Sequence, residues 1–151
     1  MSDDRPYFED IDIGETRSFG DYHVTEAEVL EFAEQYDPQP FHTDEEAARE
    51  SMFGGLVASG WHTAAMTMRM LVDNYLNESR ALGAVGVDEL RWPQPVRPDE
   101  TLSVETEVVD KEPWGDAQGM GVVHSRARTT NQEDTTKMTF VGLLLFPMAD
   151  P

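Results

Sequence analysis

Two side chains capable of acid–base chemistry, Asp37 and His42, stand five residues apart in a segment that also contains Pro38 and Pro40. Carboxylates and imidazoles are common proton carriers in enzymes, and an imidazole works near neutral pH. Each proline fixes its φ angle near about −65°, so we expect a stiff loop that holds the two side chains in a constant relation. This spacing predicts a site of proton transfer.

The same residues also admit a purely structural interpretation. Pro38 disfavours helical geometry at Asp37, so this aspartate can simply end one helix while His42 precedes the next. A metal site made of His42, Asp44 and His62 is a further alternative, although the spacing does not impose a ligand set. From the residues alone, both the chemical and the structural interpretations stay open.

Ser59 and Gly60 add a place where negative charge can be held. They come at the start of a long apolar stretch with helical spacing, where backbone N–H groups lack helical partners and the helix dipole is positive. Glycine lets a substrate oxygen approach closely, so the N–H of Gly60 is our candidate oxyanion donor. Ser59 can cap the helix or contact a substrate. Gln39, between the two prolines, and Trp61, directly after Gly60, are candidate substrate contacts, although Gln39 can equally face solvent.

Three helices are predicted around these residues. Thr25 forms a capping-box pattern with Glu28, and apolar residues at helical spacing continue to Tyr36. The same pattern recurs at Thr43, with a glutamate three residues later, and predicts a short helix over residues 44–51. The third and longest helix begins at the glycine named above.

The long helix is predicted from apolar residues that recur every three or four positions over about 18 residues, or about 27 Å. Met66 and Met70 widen the apolar arc beyond one face, so we expect this helix to be covered on several sides. The predicted buried positions are Trp61, Ala64, Ala65, Met68, Leu71, Val72, Tyr75 and Leu76.

After Gly83 the apolar residues alternate with polar ones, as is typical of strands. The late strands are adjacent in sequence, which favours an antiparallel sheet. A long helix followed by such strands predicts an α+β fold in which the sheet curls around the helix, as one domain over residues 1–151. The predicted strands are Thr16–Val24, Ala84–Trp92, Thr101–Asp110, Met120–Thr130 and Thr135–Pro147, with a loop over Pro113–Gly119.

The composition excludes several classes of function. The 151 residues include 30 acidic and 11 basic side chains, a net charge of −19, so a basic footprint for nucleic acid is lacking. Such a charge is typical of proteins adapted to high salt, an ordinary acidic protein being the alternative. Without cysteine there is no disulfide and no thiolate chemistry. Without a signal peptide or a run of about 20 apolar residues, we expect a cytoplasmic protein with no membrane partner.

The segment YDPQPFHTDEEAA, followed by FGGLVASGWHTAAM, resembles the MaoC-like dehydratases and (R)-specific enoyl-CoA hydratases. Their signature is D-x-N-P-x-H, then a turn of small residues and a glycine at the start of a central helix. The opening YFEDIDIGE and the turn RPDETL are also similar to the family. Gln39 stands where the family usually has Asn, and Asp99 where its turn usually has Gly. The matching positions are Asp37, Pro40, His42 and Gly60.

The resemblance implies a hot-dog fold, paired at least into a homodimer, and the reversible hydration of trans-2-enoyl-CoA to (3R)-3-hydroxyacyl-CoA. Asp37 and His42 would act on one water, in roles that the sequence leaves open, while the Gly60 N–H holds the enolate. The resemblance implies no metal or redox cofactor. Coenzyme A takes part only as a portion of the substrate. A hot-dog thioesterase and a non-catalytic acyl-thioester-binding domain are the alternatives. Candidate cations for the phosphates of coenzyme A are Arg69, Arg80, Arg91 and Arg97.

Overall fold

The computed structural model describes residues 3–115 and 119–150, and in this part a curved antiparallel sheet faces one long helix. The five strands pair in the order β1-β3-β4-β5-β2. The predicted α+β architecture of a hot-dog fold is confirmed. The strands are β1 Thr16–His23, β2 Ala84–Arg91, β3 Thr101–Pro113, β4 Met120–Thr130 and β5 Thr136–Pro147.

Four α-helices lie in this part of the chain, and the three that were predicted begin close to their predicted starts. They are α1 Glu26–Tyr36, α2 Pro40–Thr43, α3 Glu45–Glu50 and α4 Gly60–Asn74, and 3-10 turns span Phe8–Asp10 and Leu76–Glu78. Of these described helices, none is long and apolar enough to cross a membrane. β3 extends to Pro113, three residues beyond its prediction, and residues 116–118 of the predicted loop lie outside the described residues.

The segment expected to be a stiff loop is partly helical. Pro40 occupies the first position of α2, where its missing N–H costs nothing, and Asp44 N donates to Pro40 O at 2.9 Å. The predicted cap at Thr43 was wrong by one residue. Asp44 caps α3, because its carboxylate accepts from Glu46 N at 2.9 Å and from Ala47 N at 3.3 Å.

The face that α4 buries differs from the predicted apolar stripe. Trp61 and Met68 remain 60% and 49% exposed, whereas Thr63 and Thr67 are buried with Met66, Met70 and Leu71. The hydroxyl groups of these threonines have hydrogen-bond partners in the helix and on the sheet. Thr67 Oγ1 lies 2.9 Å from Thr63 O and 2.7 Å from Thr129 Oγ1 on the sheet. The helix also ends after 15 residues, at Asn74, before the predicted 18.

The N-terminal arm packs on the body of the fold. Phe8 and Ile11 are buried in a cluster with Val108, Val123 and Phe146. A larger core, between α4 and the sheet, lies closer to the candidate acid–base residues. It includes Val24, Val29, Met66, Met70, Val96, Leu102, Val104 and Ala127.

Candidate active site

Asp37 and His42 meet because α1 ends just before α2 begins. Asp37 closes α1, its amide donating to Ala33 O at 2.8 Å, and the single turn of α2 returns His42 toward it. Nε2 of His42 lies 3.4 Å from Oδ2 of Asp37, with side-chain exposures of 7% and 18%. The structure therefore brings the two sequence-predicted groups together.

The ring of His42 is oriented by a backbone carbonyl. Nδ1 lies 2.6 Å from Val57 O, and a carbonyl oxygen can only accept, so Nδ1 carries the hydrogen. In the neutral ring Nε2 then holds the lone pair and faces Asp37. Phe41 packs edge-on against the ring, with centroids 4.5 Å apart. The free lone pair of Nε2 is suited to accept a proton.

Asp37 is held in its ionised form by neighbouring donors. Ser59 Oγ donates to Oδ2 at 2.6 Å, and Gln39 Nε2 donates to Oδ1 at 2.7 Å. Burial raises the pKa of Asp37, but these two hydrogen bonds and the adjacent His42 outweigh it, and the pKa lies below its ordinary value. The amide of Gln39 thus contacts the predicted acid–base pair.

Ser59 and Gly60 form the first turn of α4. Ser59 is completely buried, its Oγ accepts from Trp61 N at 3.2 Å, and its carbonyl accepts from His62 N at 2.9 Å and Thr63 N at 3.0 Å. In the described part of the chain, the N–H of Gly60 has no acceptor. This unpaired donor, at the positive end of α4, lines the same cleft as Asp37 and His42.

The cleft has a volume of about 620 Å³ and takes residues from distant parts of the chain. Trp92, after β2, lies directly over Gly60: a Cβ on this glycine would be 2.6 Å from Trp92 Cε2. The Trp61 and Trp92 rings have centroids 5.2 Å apart. The sequence patterns did not predict the lining residues Phe41, Phe53, Val57, Trp92, Pro93 and Gln94, and of these only the aromatic residues beside prolines give any local signal.

A second, smaller pocket of about 320 Å³ surrounds His62. His62 Nε2 lies 3.5 Å from Glu28 Oε1, its ring stacks on Phe32 with centroids 4.7 Å apart, and Tyr22 also donates to Glu28. Burial lowers the pKa of His62, although Glu28 opposes this. Burial and Glu28 raise the pKa of Tyr22 to about 12. Across the described residues no three His, Asp or Glu side chains group as metal ligands, so the alternative metal site of His42, Asp44 and His62 does not form.

The chain is similar to several known proteins. Residues 10–132 match the MaoC like domain. A MaoC-like dehydratase from Rhodospirillum rubrum superposes with a TM-score of 0.87 at 38% identity, over 97% of this chain and 99% of that one. Protein YdeM of Bacillus subtilis is 27% identical over 126 residues, which are 83% of this chain and 88% of YdeM.

A third similar protein, the (R)-hydratase PhaJ1 from Pseudomonas aeruginosa, shares the fold, with a TM-score of 0.74 at 22% identity over 94% of this chain and 86% of that one. The match to the domain covers most of the chain, including the candidate acid–base pair and the start of α4. The chain belongs to the MaoC-like dehydratase family.

Proposed function

We propose that the protein catalyses the reversible hydration of trans-2-enoyl-CoA to (3R)-3-hydroxyacyl-CoA. The observation that carries the proposal is the position of His42 Nε2, 3.4 Å from Asp37 in a cleft that the unpaired N–H of Gly60 also lines. Membership of a dehydratase family supports the same reaction class.

The first step activates a water molecule between Asp37 and His42. The carboxylate, kept ionised by its donors, accepts a hydrogen bond from the water and orients it. His42 Nε2 takes a proton as the water oxygen bonds to C3 of the substrate. The negative charge of Asp37 stabilises the imidazolium that forms. A positioned base of this kind contributes about 10² to 10⁴-fold in rate.

The electron pair displaced from the alkene moves to the thioester oxygen. The Gly60 N–H donates to this oxygen, aided by the positive end of the 15-residue helix α4. The imidazolium of His42 then returns its proton to C2, and the thioester carbonyl reforms. One water is added in total, and no electron leaves the substrate, so the proposed reaction needs no redox cofactor.

We also propose that the acting unit is a homodimer, formed through β2 and α4. β2 pairs only with β5 in the described sheet, so one edge is open, and Val85 and Val87 on it are exposed. Trp61 and Met68 expose apolar surface on α4. An open edge and an exposed apolar face are what a second copy of the chain would cover.

The experiment is an assay with crotonyl-CoA that follows the conjugated enoyl absorbance and free thiol in parallel. We expect absorbance to fall without thiol release, with (3R)-3-hydroxybutyryl-CoA as the product. Release of thiol would instead indicate a thioesterase. If the protein binds the thioester but leaves both signals unchanged, it is a non-catalytic binding domain and the proposal is wrong.

A further inference from the structure

Arg97 lies in the connection between β2 and β3 and lines the cleft. Of the Lys and Arg residues in the described chain, it is the only one in this lining. Its guanidinium donates to the main-chain carbonyl of Phe53, and within the described residues it makes no hydrogen bond or ion pair with Asp37 or His42. Arg97 and the acid–base pair therefore offer separate contacts to a molecule in the cleft.

The position of Arg97 is fixed from two sides. Nη2 donates to Phe53 O at 2.6 Å, and the backbone N–H donates to Glu100. The carboxylate of Glu100 is itself paired with Lys137 at 2.9 Å and accepts from Asn131. Glu100 thus orients the main chain of Arg97 while its charge is neutralised elsewhere.

The charge of Arg97 has no counterpart in the described structure. Its guanidinium carries five N–H donors, and its one hydrogen bond to protein engages Nη2 with a neutral carbonyl. Gly55 lies beside Nη1, where a Cβ would approach to 3.4 Å, so the glycine leaves space around the guanidinium. Nε and Nη1 remain available to an anion.

The other three arginines considered from sequence are paired elsewhere or lie outside the cleft. Arg69 pairs with Asp73 at 2.7 Å. Arg80 donates to the carbonyls of the N-terminal arm, including that of Arg5 at 2.8 Å. Arg91 donates to the adjacent carbonyl of Leu90 at 3.0 Å, and all three lie outside the cleft lining. Only Arg97 combines an unpaired charge with access to the cleft.

We propose that Arg97 binds the phosphate of the phosphopantetheine arm that carries the acyl thioester. A protein of net charge −19 repels an anionic substrate at long range, so a local cation is required where the phosphate rests. The planar guanidinium offers paired donors that match phosphate oxygens. The inference rests on the proposed hydratase function, and coenzyme A and an acyl carrier protein present the same phosphate.

The test compares crotonyl-pantetheine, which lacks phosphate, with crotonyl-phosphopantetheine and crotonyl-CoA. Arg97→Ala should raise KM about tenfold or more for the two phosphorylated substrates, leave kcat near wild type, and leave crotonyl-pantetheine unaffected. Arg97→Lys should restore part of the affinity because it keeps the charge, and it supplies a second variant if Arg97→Ala fails to fold. Arg126→Ala, an exposed arginine on β4, is the matched control and should behave as wild type.

Equal loss on crotonyl-pantetheine, no loss on any substrate, or a loss confined to crotonyl-CoA would each overturn the assignment. The same assay on crotonyl-loaded carrier protein tells which carrier the wild type prefers. If the wild type hydrates no crotonyl thioester, the proposed function fails. Calorimetric binding of butyryl-CoA and butyryl-pantetheine to wild type and Arg97→Ala then tests the phosphate contact independently.

Discussion

The carbonyl of Val57 lies 2.6 Å from Nδ1 of His42, and this contact determines which ring nitrogen can act as a base. A second hydrogen bond joins the same two parts of the chain, because Val57 N donates to Phe41 O at 3.3 Å. The imidazole is thus oriented by main chain and not by a second carboxylate. In the proposed reaction Asp37 then orients the water.

Ser59→Ala should impair both the helix and the carboxylate. It removes the cap of α4 and a buried hydrogen bond to Asp37, so we expect a loss of about 1–2 kcal/mol in the free energy of unfolding. Because that hydrogen bond lowers the pKa of Asp37, the acidic limb of the kcat/KM profile should move to higher pH.

Thermal unfolding and a pH–rate profile check this pair of effects. Ser79→Ala is the control, since Ser79 donates to Leu76 O at 2.8 Å outside the cleft lining and should affect stability alone. An acidic limb that stays in place in the Ser59→Ala variant would contradict the role assigned to Ser59.

Gly60→Ala should lower kcat/KM by more than about tenfold. The new Cβ would lie 2.6 Å from Cε2 of Trp92, so the indole must shift, and the approach of a substrate oxygen to the N–H is obstructed. Gly142→Ala, whose Cβ would meet its nearest neighbour at 3.5 Å, is the control. Steady-state kinetics on both variants gives the comparison, and full activity in Gly60→Ala would contradict the close approach of the substrate to this N–H.

His62 should make the fold sensitive to mild acid. Burial lowers its pKa, so between that lowered value and about 6.5 the unfolded chain binds a proton that the folded chain does not. The free energy of unfolding should therefore decrease as pH falls below about 6.5. Urea titrations at several pH values measure the slope, and His62→Gln should flatten it. An identical slope in both proteins would refute this origin.

Salt should stabilise the fold if the charge of −19 reflects adaptation to high salt. Raising KCl from about 0.1 M to about 1 M shortens the Debye length from about 10 Å to about 3 Å and screens the self-repulsion. We expect Tm to rise by several degrees. Sucrose, an uncharged osmolyte, controls for general solute effects, and a Tm that responds equally to both would indicate an ordinary acidic protein.

The proximity of Asp37 and His42 was predictable because its signal is local. Asp37, His42 and Gly60 lie within 24 consecutive residues, where spacing and helix starts constrain geometry directly. The conformation of the chain between Asp37 and His42 was less predictable. Pro40 restricts φ equally in a stiff loop and at the start of a helix, so the proline alone could not predict α2.

Contacts made by tertiary packing could not be predicted from the sequence. The buried face of α4 contains Thr63 and Thr67, whose hydroxyls find acceptors only in the folded helix and sheet, so a hydrophobic pattern shifted the predicted face toward Trp61. Trp92 and Arg97 reach the cleft through the β2–β3 connection. No short-range pattern relates them to His42.

The rate of Asp37→Asn on crotonyl-CoA tests whether the carboxylate of Asp37 takes part in the hydration. Asparagine preserves the size of the side chain and can still accept from Ser59, but it removes the negative charge beside Nε2 of His42. Asp44→Asn is the matched control, because asparagine caps α3 as well as aspartate does and Asp44 lies outside the cleft lining. We expect kcat/KM to fall about 10² to 10⁴-fold for Asp37→Asn, with unchanged circular dichroism, and the control to react at a near wild-type rate. A folded Asp37→Asn protein that hydrates crotonyl-CoA at the wild-type rate would contradict the proposed role of this carboxylate.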